Sequence, residues 1–207
     1  MANLNAPRGL SPIGTITGGA WNQQGQLFAI ASDASNTYAI GDVVKLAGGA
    51  DTNGIAYVTK AATTDIPVGV IVATRVADYG VSLQGTTLDL TKLYISLSAG
   101  LRYVYVVTDP NVIYEIETDA TGVAAADVGK NAGMTITANQ TSLSQSSPLS
   151  STVLNSSSLL AQSSSGSLAL PLTVIGVSLR PDNAPGAYDN VQVIFNRHQF
   201  KQAQGTA

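Results

Sequence analysis

The sequence predicts an all-β protein of two small barrel-like or sandwich units, with an extended N-terminal arm and a Ser-rich inserted loop. Three observations carry this. From Trp21 onward, short runs rich in Val, Ile, Tyr and Thr recur between Gly, Asn and Asp breakers, at the spacing of about 8–12 residues that marks sandwiches and barrels. Helix signals are nearly absent. Only 11% of the residues are charged, against about 25% in ordinary globular proteins. Ser, Thr, Asn, Gln, Gly and Ala take their place, groups that suit turns and flat contacts better than solvated helix faces.

Residues 1–20 hold Pro7, Gly9, Pro12, Gly14, Gly18 and Gly19 among isolated apolar residues, a spacing that cannot make a helix. The segment reads either as a frayed terminus or as an arm that docks Leu10, Ile13 and Ile16 on a neighbouring subunit. Trp21 opens the first unit, 21–100, as a core or interface anchor. Strands are expected there at 26–30, 42–46, 55–59, 68–73 and 93–97. The second unit, 101–200, loosely echoes the first: Gly41-Asp42-Val43-Val44 followed by Pro67-Val68-Gly69-Val70-Ile71 finds a counterpart in Asp127-Val128-Gly129 followed by Pro171–Val177. A single helical turn is expected at 124–130, before Asn131 and Gly133. Residues 201–207 form a tail.

Between 139 and 167 the composition shifts to Ser, with Leu143, Leu149, Val153, Leu154, Leu159 and Leu160 spaced through it. A plain flexible linker would carry fewer apolar groups. The segment reads as a binding loop whose leucines seat in shallow pockets and whose serines bond to backbone, or as a stretch disordered until docking.

Ten basic and thirteen acidic residues give a net charge of -3 with no block of one sign, which argues against nucleic-acid and anionic-membrane partners. Cysteine is absent, so disulfides and thiolate metal sites are excluded. The first ten residues have no basic and apolar signal pattern, and no uncharged apolar run approaches the ~18 residues needed to span a bilayer; the expectation is a soluble protein made in a cytoplasm. The glycosylation-type triplets at Asn139 and Asn155 then read as coincidence in a Ser-rich stretch.

Catalytic patterns are missing. No Gly-x-Ser-x-Gly elbow, P-loop or Gly-x-Gly-x-x-Gly turn occurs. The one histidine, His198, reads as a strand-end or tail contact ahead of a catalytic base, and no cofactor is expected. In Tyr114-Glu115-Ile116-Glu117-Thr118-Asp119, alternation puts Glu115, Glu117 and Asp119 on one strand face. They read as a solvated face with Tyr114 and Ile116 inward; calcium ligation or contact with a basic partner is the alternative. The loop 180–189 has oxygen donors as well but reads first as a Pro/Gly turn pair.

The ordered set Ala39-Ile40-Gly41-Asp42-Val43-Val44-Lys45-Leu46, Ile55-Ala56-Tyr57-Val58-Thr59-Lys60-Ala61 and Ile66-Pro67-Val68-Gly69-Val70-Ile71 resembles the small β-barrel module of tailed-bacteriophage head decoration, or cement, proteins. The second half, with residues 103–109, Ile113-Tyr114-Glu115-Ile116-Glu117, Asp127-Val128-Gly129-Lys130-Asn131-Ala132, 171–177 and 191–196, is similar to phage structural proteins that accompany the major capsid protein. The likeness covers residues 25–200 outside the Ser-rich segment. It implies a virion protein made in the bacterial cytoplasm and bound to the outside of an icosahedral head. There it would touch the major capsid protein and copies of itself, as a homo-oligomer with a trimer first in line, and it would need no catalytic residues. The candidate contacts are Leu10, Ile13, Ile16, Trp21, Leu143, Leu149, Leu154, Leu159 and Leu160. The rival from another class is a receptor- or glycan-binding β module, such as a virion fibre base, using Tyr79, Tyr94 or Tyr188. An unrecognised enzyme ranks third.

Overall fold

A computed structural model describes residues 3–31, 36–75, 94–95, 102–138, 140, 143 and 149–201. In chain order the strands are β1 (Ser11–Thr15), β2 (Gln26–Ile30), β3 (Tyr38–Ala39), β4 (Val43–Ala50), β5 (Ala56–Lys60), β6 (Gly69–Arg75), β7 (Tyr94–Ile95), β8 (Arg102–Val107), β9 (Val112–Glu117), β10 (Asn131–Thr135), β11 (Val153–Leu160), β12 (Leu172–Val177) and β13 (Asn190–Phe195). The only helical pieces among the described residues are two single 3-10 turns, Ala125–Asp127 and Ser167–Ala169. The first falls inside the helical turn expected at 124–130.

Five strands close a barrel in the order β2-β5-β4-β6-β8, and six form a separate antiparallel sheet in the order β1-β9-β13-β12-β10-β11. The short pair β3–β7 stands apart. Closure of the barrel depends on one tight crossing. A Cβ on Gly69 would lie 2.0 Å from the Val107 carbonyl oxygen, so β6 can approach β8 this closely only with glycine there.

The barrel strands carry two cores at once. Val44, Ile71, Val104 and Val106 fill the barrel with Phe28, Ile30, Tyr38, Val58 and Val68. Their neighbours Val43, Val70 and Val107 face outward and join Tyr114, Ile116, Met134, Leu154, Leu172, Val174, Val191 and Val193 of the sheet in a second cluster. A strand buried on both sides reads as a continuous apolar run, and Val43-Val44, Val70-Ile71 and Val106-Val107 are the result. On the sheet, buried on one side only, alternation is clean: Val112, Tyr114 and Ile116 are buried while Ile113 and Glu115 are not.

Three placements differ from the sequence reading. First, β8 lies in 101–200 by sequence but closes the barrel against β2 and β6. Pairing between strands so distant leaves no local signal. Second, the described part of the N-terminal segment, residues 3–20, is not a free arm. Leu10 is 1% exposed inside the shared cluster, and β1 pairs with β9 at the sheet edge. The Leu10 amide donates to the Gly41 carbonyl at 3.0 Å. Where the two backbones cross, Gly9 and Gly41 both have positive φ, and a Cβ on Gly41 would sit 2.2 Å from the Arg8 oxygen.

Third, the Ser-rich segment is no plain inserted loop, because 153–160 is the strand β11 with Leu154 fully buried. The pairing of β11 with β10 jumps between Asn131↔Leu160 and Gly133↔Asn155. There the Ser158 hydroxyl accepts from the Gly133 amide at 2.7 Å and donates to the Asn155 carbonyl at 2.6 Å. A serine side chain thus supplies the ladder partner that the bulge removes.

The β4–β5 turn is locked to β8. The Asp51 carboxylate accepts from the amides of Asn53 (2.9 Å) and Ile55 (2.8 Å) and from the Tyr103 hydroxyl at 2.7 Å. Burial would raise the Asp51 pKa, but these hydrogen bonds outweigh it and hold the carboxyl below its usual range. Burial, then the bond to Asp51, pushes the Tyr103 phenol up to about 12.

Two outcomes follow. Leu10→Ala will lower the unfolding free energy by about 2–5 kcal/mol, and deletion of residues 1–15 will cost more than Leu10→Ala; urea titrations measure both. The Asp51–Tyr103 contribution is present above the unfolded carboxyl value of about 4 and is lost as pH falls from there through the lower folded value. At the other end it is present below the unfolded phenol value of about 10 and fades as pH rises through about 12. Unfolding measured across pH will show both slopes flattened in Asp51→Asn.

Candidate functional site

Where the barrel meets the sheet, a charged cluster is sealed from solvent. The Asp42 carboxylate pairs with Lys60 Nζ at 2.7 Å, the two side chains being 1% and 2% exposed. Its oxygens also accept from the Ala39 amide at 2.9 Å and the Ser150 hydroxyl at 2.5 Å, while Lys60 Nζ donates to the Thr137 carbonyl at 3.1 Å. Burial pushes the Asp42 pKa up against the pull of Lys60 and these donors. Asp42 and Lys60 come from the barrel side, Thr137 and Ser150 from the segment between β10 and β11, so the cluster is a joint. Ser150 adds a backbone bond to the Ile40 carbonyl at 2.9 Å.

The three carboxylates on and after β9 go separate ways. Tyr114 and Ile116 point inward as expected, but the outer face is not simply solvated. Glu115 pairs with Arg180 at 2.9 Å. Glu117 is buried beneath the N-terminal segment, where the Ala6 amide donates to it at 3.0 Å; burial raises its pKa against that bond and the nearby Arg8. Asp119 accepts from the amides of Thr121 and Ser156, both at 3.0 Å. Among the described residues, no group of three or more His, Asp or Glu side chains is placed to hold a metal ion. His198 is buried: its Nδ1 accepts from the Phe200 amide at 3.1 Å, and burial lowers its pKa. The loop 180–189 folds as paired turns stapled by Asn183, whose amide donates to the carbonyls of Ser178 and Asn190.

The nine candidate contact residues divide. Leu10 and Leu154 belong to the core, and Trp21 and Leu159 are partly buried against it. Leu143 is half-buried. Ile13, Ile16, Leu149 and Leu160 are exposed. Ile13 and Ile16 lie at the β1 edge of the sheet and Leu160 at the end of β11, the other edge. Among the described residues, each edge is paired at a single point only, β1 where Gly14 bridges Ala20 and β11 where Leu154 bridges Thr118, the residue after β9. Leu168 and Leu179, absent from the sequence-based candidates, are 73% and 98% exposed; with Leu170 two residues from the first and Val177 two from the second, no local signal separates them from core positions. Of the tyrosines considered for ligand contact, Tyr79 lies outside the described residues, Tyr94 is described only as backbone in β7, and Tyr188 is half-buried with φ 58°.

One open cleft of about 1040 Å³ lies between the 15–26 segment, β6, β8, the turn at 108–112 and Phe200. Trp21, Tyr105 and Phe200 supply its aromatic surface, and Asn22, Gln23, Gln24 and Gln26 its amides. The sequence reading took Trp21 alone from this group. What brings the rest together is the β2–β8 pairing and the return of the chain end to the barrel, where the Gln199 amide donates to the Pro67 carbonyl and its side chain accepts from the Leu46 amide.

Comparison with protein-family models, curated proteins and solved structures gives no match. The architecture therefore defines the class: a nearly all-β protein with a closed five-stranded barrel and a separate six-stranded sheet.

Lys60→Met will leave Asp42 buried without its cation, at a cost of about 3–5 kcal/mol. Because the uncompensated carboxyl is relieved by protonation, the deficit will shrink as pH falls, and Asp42→Asn with Lys60→Met will recover part of it at neutral pH. Chemical unfolding of the unaltered chain and both variants at two pH values measures this.

Proposed function

We propose that this chain is a virion structural protein, a capsid decoration or cement protein that binds the outside of an icosahedral phage head and stabilises the contacts between capsomers. The observation that carries the reading is the placement of exposed apolar side chains at both edges of the sheet, Ile13 on β1, Ile16 just past its end and Leu160 on β11. Open strand edges are templates for pairing with other chains, and a module with contact groups at two edges can touch two neighbours. The low charge fits as well, since the centres of protein interfaces are depleted in charge. Further support comes from the sequence resemblance, whose three first-half segments contain the first half of β4, all of β5 and the start of β6. Partners on this reading are the major capsid protein and further copies of the chain. Many modest sites on a symmetric shell add up through effective concentration.

Purified protein mixed with bare phage heads will cosediment with them and raise their resistance to heat. Ile13→Asp with Ile16→Asp will weaken attachment by about tenfold or more while leaving the unfolding midpoint of the free chain nearly unchanged. Absence of binding at every salt and pH tried, or undiminished binding of the double variant, overturns the reading.

A further inference from the structure

We propose that the cleft beside Trp21 is a binding site for a neutral oligosaccharide. Its lining joins two kinds of group. Trp21 is partly buried against the core and so held in place, Tyr105 is half-exposed on β8, and Phe200 is 54% exposed. These rings offer apolar faces at low conformational cost. Beside them stand amides: Gln23, Gln24 and Gln26 are exposed, and among the described residues their side chains make no hydrogen bond. Each amide carries a donor pair and an acceptor, which matches hydroxyls that both donate and accept.

Charge narrows the class. Asp109 is the one charged residue among the described residues lining the cleft, so nothing there would neutralise a phosphate, sulfate or carboxylate. A purely apolar ligand would make no use of the exposed amides. The remaining chemistry is a neutral ligand with apolar faces and a rim of hydroxyls, which is a sugar. Size decides between one ring and several: about 1040 Å³ is at the top of the usual range of roughly 300–1000 Å³ for small-molecule sites, leaving room for a short chain of rings.

The proposal stands independently of attachment to a capsid. Trp21 is the only tryptophan in the chain, so its fluorescence reports directly on the cleft. The full chain is titrated with neutral oligosaccharides of three to six rings (glucans, mannans and chitin fragments), with their monosaccharides, and with a heparin fragment as the charged arm. The expected result is a saturable change in Trp21 emission with at least one neutral oligosaccharide, weaker with its monosaccharide and absent with heparin. Phe200→Ala and Gln24→Ala are each expected to weaken that binding about tenfold or more with the unfolding midpoint retained. Calorimetry repeats the titration in case the ring environment does not change on binding. The proposal is overturned by no saturable signal in either method up to about 10 mM, a ceiling that still registers very weak binding. Preference for heparin, or equal binding by both variants, overturns it as well.

Discussion

A carboxylate as deeply buried as Asp42 is tolerable only if every oxygen is answered, and the way it is answered joins the two halves of this protein. Lys60 supplies the charge, Ala39 and Ser150 supply donors, and Thr137 holds Lys60 from the far side. Lys60 ends the barrel strand β5, Ala39 belongs to the short strand β3, and Ser150 and Thr137 belong to a segment that reaches over from the sheet. The pair does not make the fold strong, since burying charges costs much of what their attraction returns. It makes the fold particular. Any arrangement of barrel against sheet that separates Ser150 or Thr137 from the pair leaves a buried polar group unmet.

The apolar contacts obey the same geometry. Because β4, β6 and β8 are buried on both sides, slipping any of them by one residue would exchange the barrel core for the shared core. Val43 and Val44 are close enough in size for either to fit, so burial alone would not fix the register of β4. Asp42 does: its side chain meets Lys60 in the register in which Val44 pairs with Lys60 and Val43 with Val70. The N-terminal segment adds a second constraint, since Gly41, next to Asp42, is where Arg8 and Gly9 cross.

Much of this was legible in the sequence because it is local. The strand at 26–30, the starts of β4 and β6, and the turn at 125–127 all follow from β-branched runs and breakers. What stayed hidden is non-local. Nothing in Arg102–Val107 says that it pairs with β2, and the prolines and glycines of residues 1–20 look the same in a free arm as in an edge strand. The serines of β11 misled for a chemical reason: hydroxyls that repair a bulge from inside a sheet have the composition of a linker. The candidate contacts were picked as apolar residues outside the strand pattern, and that criterion fails where the pattern itself was missed, as at Leu10 and Leu154. The Asp42–Lys60 pair was equally silent, since eighteen positions apart in a loosely charged sequence the two carry no pairing signal.

The low charge has a different meaning at different places on the molecule. At the sheet edges it accompanies exposed Ile13, Ile16 and Leu160, groups whose removal from water would favour contact with another protein. At the cleft it accompanies unengaged glutamines and aromatic rings, which favour a small neutral ligand that can both stack and hydrogen-bond. These surfaces differ in origin as well. The edges exist because a sheet that is not closed must end somewhere, whereas the cleft exists because the 15–26 segment and the chain end return to the barrel from opposite ends of the sequence. The two surfaces nevertheless adjoin, because Thr15, the last residue of β1, lines the cleft and Ile16 opens the 15–26 segment that walls it, so a change at the β1 edge is felt in both.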